Sequence, residues 1–365
     1  MRIDPTPFLR AVLERKLLEA PLKHTLLEGN VDRRSELKHG HLRVEDALGH
    51  VVKLTIGTEL AGLFARADAF HVVLPKHSPA TRFFFSTPIG DVWAQDWIEA
   101  PDGERPIGDF ASALEAILAL DNLETALEAT VQLSSANAWE LEYVEWSRGI
   151  LALPCWRSAE QAFLLQTLLP WLSAALRPGQ PKTRWSNGDF TSANLKLTRN
   201  RATLLDFEYA QRTHFYPEDH IRFLRLSPIA HLQPGFFAGL WPAAIPAWEI
   251  FFQLRQLSLE SAVNSEKYLL REVPLRKGYL HFAIKAAGLV ANGWGQDPVP
   301  PPPEFASETV QLFWRNGAIA WDETNSRRSQ VRRGQPQFVA FRIPAGADSL
   351  RLDPSATHRA VLVKA

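Results

Sequence analysis

Cysteine is almost missing from this chain. One in 365 residues, Cys155, rules out any internal disulfide, and no His/Cys cluster with zinc spacing surrounds it. It reads as a small buried side chain rather than a reactive thiol. Net charge is missing as well. Because 40 Lys and Arg residues balance 40 Asp and Glu, there is no global basic field for nucleic acid and no signature of an anionic-membrane binder. Long apolar runs are also absent. No stretch approaches the ~20 consecutive apolar residues of a membrane span. The opening stretch, "MRIDPTPFLRAVLERKLLEAPLK", is studded with charges and lacks the apolar core of a signal peptide. The expected setting is the cytoplasm. No short-period internal repeat is present.

What is there is a large apolar fraction, 46%, enough for a sizeable core spread over two or three domains. Residues 1–20 read as a short amphipathic helix. From Leu22 to about Glu99, "HTLLEGN", "ELKHGHLRVED", "HVVKL", "RFFFSTP" and "DVWAQDWIE" are short β-branched or aromatic runs between turn residues, the pattern of an antiparallel sheet. One helical piece, "GTELAGLFARADAF", interrupts them. Beyond residue 101 the signal turns helical. Asp109 is placed to cap "DFASALEAILAL", and Asp121 with Glu124 to open a further helix. Ser158 and Gln161 have the capping-box offset, and Pro170 is expected to kink or break the helix that follows. "DPVPPPPEF" is a stiff polyproline-type linker. After it, "ETVQLFW", "QFVAFRIP" and "SLRLDP" are strand-like. The expectation is an α+β chain: a β-rich lobe at 1–100, a helical lobe at 101–296, a Pro-rich linker at 297–306 and a small all-β segment at 307–365.

The chemistry concentrates in "WSNGDFTSANLKLTRNRATLLDFEYA", Trp185 to Ala210. Asp189 and Asn194 lie on a loop that enters the strand "NLKL". A turn leads into a second strand, "ATLLDF", which ends at Asp206. Such a hairpin returns Asp206 to the side of Asn194. One carboxylate and one amide carbonyl are hard oxygen donors suited to Mg²⁺, which keeps several waters and shares its shell with phosphates. Asp189 is left to orient an attacking hydroxyl and accept its proton. A catalytic Asp followed by an Asn and an Asp on metal is the division of labour of phosphoryl transfer. Loop Asp and Asn commonly serve only as turn residues, and the joint spacing is what lifts these above that reading.

An ATP-holding half is expected in the amino-terminal sheet. "HVVKL" places Lys53 on an apolar strand, where it is suited to the α/β-phosphates, with Glu59 as the candidate partner for its ammonium. "LLEGNVDRRSEL" would cover the phosphates through backbone N–H groups around Gly29, although G-x-G-x-x-G is absent. "WAQDWIEAPDG" is the expected hinge.

"NGDFTSANLKL…LLDFEYA" resembles the active-site signature of the aminoglycoside phosphotransferase and choline kinase superfamily, whose fold is the bilobal fold of protein kinases. "DFEYA" resembles the choline and ethanolamine kinase branch in particular. "FYPEDHIRFL" is similar to the segment that carries a bracing Asp, which would be Asp219. The resemblance implies ATP and Mg²⁺ as cofactors, Asp189 as catalytic base, Asn194 and Asp206 as metal ligands, and a small-molecule or saccharide acceptor. One departure is Asn187, where that superfamily usually has His. The segment after the Pro-rich linker resembles an incomplete copy of a β-sandwich module found beside bacterial glycosyltransferases. That resemblance points to a cell-envelope sugar as acceptor and to protein partners in glycan assembly, whereas "DFEYA" points to a choline-like amino alcohol and the wider superfamily to an aminoglycoside. The competing expectation is a kinase-like scaffold without turnover.

Three other features read as structural. His39, His41 and His50 fall on solvent-facing strand positions. Most of the 12 tryptophans are core. "RRSQVRR", Arg327 to Arg333, is a solvated face or turn.

Overall fold

The computed structural model describes residues 4–27, 30–31, 37–100, 110–198, 201–227, 229–230, 244–261, 266–289, 307–315, 326–332, 347 and 349–353. Helix α1 (Thr6–Glu14) precedes a six-stranded antiparallel sheet of β1 (Lys23–Leu26), β2 (Asn30–Val31), β3 (Leu37–Glu45), β4 (Val51–Gly57), β5 (Thr81–Thr87) and β6 (Gly90–Asp96). The strand order is β1-β3-β4-β6-β5, with β2 also pairing β3. Arg43 stands opposite Lys53, and Lys53 opposite Gln95.

Alternation along these strands makes two unlike faces. Leu42, Val44, Val52, Leu54, Ile56, Val92 and Ala94 point one way and bury Phe8, Leu9 and Val12 of α1. The opposite face carries His39, His41, Arg43, Lys53, Thr55, Trp93 and Gln95. It is turned toward the rest of the molecule: Trp93 joins a core with Phe70 of α2 (Ala61–Val73) and with Phe190 and Phe207 of the helical lobe. His39 is therefore buried and His41 half-buried, contrary to the solvent-facing expectation; only His50 is exposed. The strands lie where the pattern puts them, but which face meets the second lobe is a tertiary fact.

The helical part contains α3 (Phe110–Glu128), β7 (Gln132–Leu133), α4 (Ala136–Leu151), α5 (Ser158–Phe163), α6 (Leu169–Leu176), β8 (Lys182–Ser186), β9 (Leu195–Thr198), β10 (Arg201–Leu204), β11 (Gln211–Thr213), α7 (Pro217–Leu226), α8 (Ile245–Ser261) and α9 (Glu266–Ala286). Its core packs α4, α5, α6, α8 and α9 around Leu164, Leu172, Phe251 and Leu280.

Three local expectations shift. Asp121 opens no helix, because the apolar period continues through it and α3 is unbroken. The cap of α5 sits one residue earlier than expected: the Arg157 backbone N–H donates to Glu160 Oε2 at 2.9 Å. Pro170 does not end the helix. A π-helical turn over Leu164–Leu168 precedes it, and the wider ring absorbs the missing N–H and the clash of the proline ring.

Near the carboxy terminus, β12 (Ser307–Arg315), β13 (Ser326–Arg332) and β14 (Ser349–Asp353) form a sheet in the order β13-β12-β14. Leu312, Phe313 and Trp314 are buried in it. Of the arginine-rich stretch, the described residues Arg327 to Arg332 lie in strand β13 rather than a turn. The Pro-rich linker lies outside the described residues. The architecture is α+β, with a β-rich amino-terminal part and a mostly helical part after it.

Candidate active site

Strand β8 is fixed by one buried cation. Arg184 reaches Glu124 at 3.0 Å and Glu128 at 2.8 Å on α3, and its guanidinium lies 4.7 Å from the Tyr216 ring centroid. Burial alone would push the Glu124 carboxyl up, but His220 and Arg184 override it and hold it at about 2.

Past Ser186 the chain turns at Gly188, whose φ of +75° is in the left-handed region. A Cβ there would stand 2.6 Å from both the Tyr209 carbonyl oxygen and its Cβ, so only glycine fits. The backbone N–H groups of Asn187 and Gly188 both donate to the Asp219 carboxylate at 3.2 Å. Burial raises the Asp219 pKa and Glu218 pushes the same way, while Ser186, Arg184 and Arg255 oppose them. Asp219 thus braces the turn from α7.

Asn187 ties two loops together. Its Nδ2 donates to the Asp206 carbonyl at 2.6 Å, and its Oδ1 accepts the Asp189 N–H at 3.3 Å. The amide thereby links the backbone of Asp189 to that of Asp206.

Asp189 is held from both sides. Arg222 donates to Oδ1 at 3.0 Å, and Asn194 Nδ2 donates to Oδ2 and to the backbone carbonyl, each at 2.9 Å. Arg222 is itself gripped by Glu218 at 2.8 Å. Arg255 completes the group, donating to Glu218 at 2.8 Å and to the Gly188 carbonyl at 3.0 Å. Sequence reasoning missed Glu218, Arg222 and Arg255. The Glu218–Arg222 spacing of four on a helix was the available signal.

Asn194 spends its NH₂ on Asp189, which aims its Oδ1 acceptor elsewhere. β9 and β10 pair antiparallel, and the Leu205 N–H donates to the Asn194 carbonyl at 2.8 Å. Asn194 and Asp206 are thereby neighbours at the open end of the hairpin. Asp206 has a left-handed backbone, φ +53°, and its Oδ1 accepts the Glu208 N–H at 3.2 Å. One carboxylate oxygen and one amide oxygen remain: hard donors that fit a Mg²⁺ ion completing its shell with water and phosphate.

Lys53 comes to this point from the other lobe. Its strand is central in the sheet, not an edge. Burial pushes the ammonium pKa down, and the attraction of Asp206 opposes that shift. His41 beside it is held at about 2 by burial, with Lys53 and His39 adding to the effect, so it is neutral; its Nδ1 lies 3.0 Å from the Thr55 hydroxyl.

Glu59 stands apart. It is exposed, on a bend before α2 with φ +61°, and among the described residues no ion pair joins it to Lys53. Nor does α2 supply a substitute: its inward residues are Leu63, Phe64, Ala67 and Phe70, and its sequence contains no glutamate. Phe64 stacks on Phe84 instead, with ring centroids 4.6 Å apart. Gly29 lies outside the described residues, as do residues 101–103 of the expected hinge. The hinge's described part holds Trp97, which donates to Glu99 at 2.6 Å beneath the Arg43 guanidinium.

Comparison with solved structures gives a consistent result. A candidate fructosamine-3-kinase from Thermobifida fusca superposes with a TM-score of 0.50 at 15% identity, over 73% of this chain and 94% of that one. The amicoumacin kinase hAmiN, solved with AMP-PNP, Ca²⁺ and Ami, gives 0.51 at 12% identity, over 76% and 92%. The gentamicin complex of APH(2")-IIa gives 0.51 at 11% identity, over 76% and 96%. The fold is that of the small-molecule kinases. It is the bilobal, protein-kinase-like fold that the hairpin signature implied. No protein-family model matches the chain, and no curated protein matches it.

Proposed function

We propose that this protein is an ATP-dependent phosphotransferase that phosphorylates a hydroxyl of a small molecule or saccharide, with Asp189 as base and Asn194 and Asp206 as Mg²⁺ ligands. The observation that carries the reading is the meeting of Asp189, Asn194 and Asp206 at the open end of one hairpin, opposite Lys53 from the other lobe. Asn194 and Asp206 would hold Mg²⁺, whose positive charge would offset that of the phosphates. The chain's own residues supply placement. Lys53 steadies the phosphates. Arg222 and Asn194 hold the Asp189 carboxylate in one orientation, so an acceptor hydroxyl beside it gives up its proton to a group that need not move. The backbone bonds of Asn187 and Asp219 keep that geometry rigid.

Acceptor, cofactors and a cytoplasmic location belong to this proposal. The carboxy-terminal strands favour a cell-envelope sugar through the glycan-assembly resemblance, and "DFEYA" favours an amino alcohol. A screen of ATP consumption against sugars, amino alcohols and aminoglycosides separates them. Asp189→Ala abolishes turnover on the responding acceptor. A mutant as active as the wild type would remove Asp189 from the role.

A second reading has its own observation: Lys53 lacks a glutamate partner on α2. A nucleotide-binding or silent scaffold would tolerate that loss. MgATP at a hundred times its Kd stabilises a binding protein by about 2.7 kcal/mol. A thermal shift without turnover on any acceptor favours the nucleotide-binding scaffold, and no shift at all favours the silent one.

A further inference from the structure

At the far end of β8 from Asp189, three side chains stand in a hydrogen-bonded row. His214 follows β11. Its Nδ1 contacts Glu142 Oε2 on α4, and its backbone N–H donates to the same oxygen at 3.1 Å. The Thr213 hydroxyl donates to the other carboxylate oxygen. On the opposite edge of the imidazole, Nε2 lies 3.0 Å from the Ser134 hydroxyl. An ionised carboxylate only accepts, so Nδ1 carries the proton and Nε2 is the acceptor facing Ser134. Three independent bonds fix the Glu142 carboxylate, and the His214 side chain is only 4% exposed. Nothing in phosphoryl transfer uses this row.

The serine end is open. Ser134 is half-buried, and its neighbours Leu133, Ser135 and Asn137 are exposed. It directly precedes Ser135, the N-cap of the 16-residue helix α4, whose hydroxyl accepts the Ala138 N–H. The first-turn N–H groups of Ala136 and Asn137 have no intrahelical acceptor, so the positive end of the helix adjoins the hydroxyl.

We propose that Ser134, His214 and Glu142 form a second reactive site, in which Ser134 is acylated by small carboxylic esters. The Ser134 oxygen bonds to the ester carbonyl carbon while His214 Nε2 takes the hydroxyl proton. Negative charge on the carbonyl oxygen faces the Ala136 and Asn137 N–H groups. The C–O bond of the ester then breaks, and the alcohol leaves with the proton held by His214. Water repeats the sequence on the acyl-serine, releasing the acid and restoring the hydroxyl. The exposed Leu133 borders the site with apolar surface, which favours a short apolar acyl group.

The test uses the full-length chain, a fluorophosphonate probe and p-nitrophenyl acetate. The wild type gains one phosphonyl adduct by intact mass, which peptide mapping places on Ser134. Ser134→Ala, checked for an unchanged melting temperature, gains none and hydrolyses the ester at the protein-free rate. His214→Gln slows labelling about 10²-fold or more, because a general base is lost. An unlabelled folded wild type, an adduct mapped elsewhere, or undiminished labelling of Ser134→Ala would overturn the proposal.

Discussion

Replacing Arg222 with methionine tests how the proposed base is held. The guanidinium is 2% exposed and pairs with Asp189 at 3.0 Å and with Glu218 at 2.8 Å. Burial alone would lower its pKa, but Glu218 and Asp189 reverse that and raise it. With Arg255, the four groups carry no net charge. Methionine fills the space and leaves one negative charge in excess. Breaking a buried pair costs roughly 3–5 kcal/mol. Asp189 is 35% exposed, so solvent screens its share and the low end, about 3 kcal/mol, applies. For a unit of this size that lowers the melting temperature by roughly 6–12 °C. Adding Glu218→Gln restores neutrality, so the double mutant loses less than the sum of the singles, with a coupling of about 1–3 kcal/mol. Urea unfolding followed by tryptophan fluorescence measures all three variants. Additivity within about 0.5 kcal/mol, or a single-mutant cost below about 1 kcal/mol, would refute the charge-cluster reasoning.

Gly188→Ala forces a side chain onto a left-handed backbone 2.6 Å from Tyr209, and urea unfolding should show a loss of about 1–3 kcal/mol or more. Asn187→Ala strands the Asp206 carbonyl and the Asp189 N–H, at about 1–3 kcal/mol in the same assay; Asn187→His keeps a donor for Asp206 and recovers much of that loss. His41 has a folded pKa of about 2 against 6.5 ordinarily. The unfolded chain therefore binds a proton below pH 6.5 that the folded chain refuses, and stability falls as pH drops toward 2. The slope is up to about 1.4 kcal/mol per pH unit. His41→Asn should flatten the acid slope between pH 6.5 and about 5 by about 2 kcal/mol in total. That window lies above 4.5, below which Glu124 begins to lose its own stabilising contribution. An unchanged slope would place His41 in contact with water.

The hairpin was legible because its donors and strands are close in sequence. Asp189, Asn194 and Asp206 are joined by two short strands, and antiparallel pairing does the rest. At Asn187 the sequence showed only a departure from the usual His, and the amide's bonds to the Asp206 and Asp189 backbones are visible in the structure alone. Residues that act across long separations were not readable. Arg222 reaches Asp189 across 33 positions and Arg255 reaches Glu218 across 37, and no spacing announces either approach. The partner assigned to Lys53 followed sequence proximity, whereas three-dimensional proximity pairs it electrostatically with Asp206. His39 and His41 show the limit of a period-2 pattern. It separates the two faces of β3 without saying which one the second lobe covers. His214 and Glu142, 72 positions apart, were invisible for the same reason.

The most direct measurement is calorimetric titration of ATP into the wild type and into Asp206→Ala, each with and without Mg²⁺. The account predicts that Mg²⁺ tightens ATP binding to the wild type at least about tenfold, roughly 1.4 kcal/mol. It also predicts that this gain disappears in Asp206→Ala, while the metal-free affinity is retained. An equal Mg²⁺ gain in both proteins, or no binding of ATP to the wild type, would contradict it.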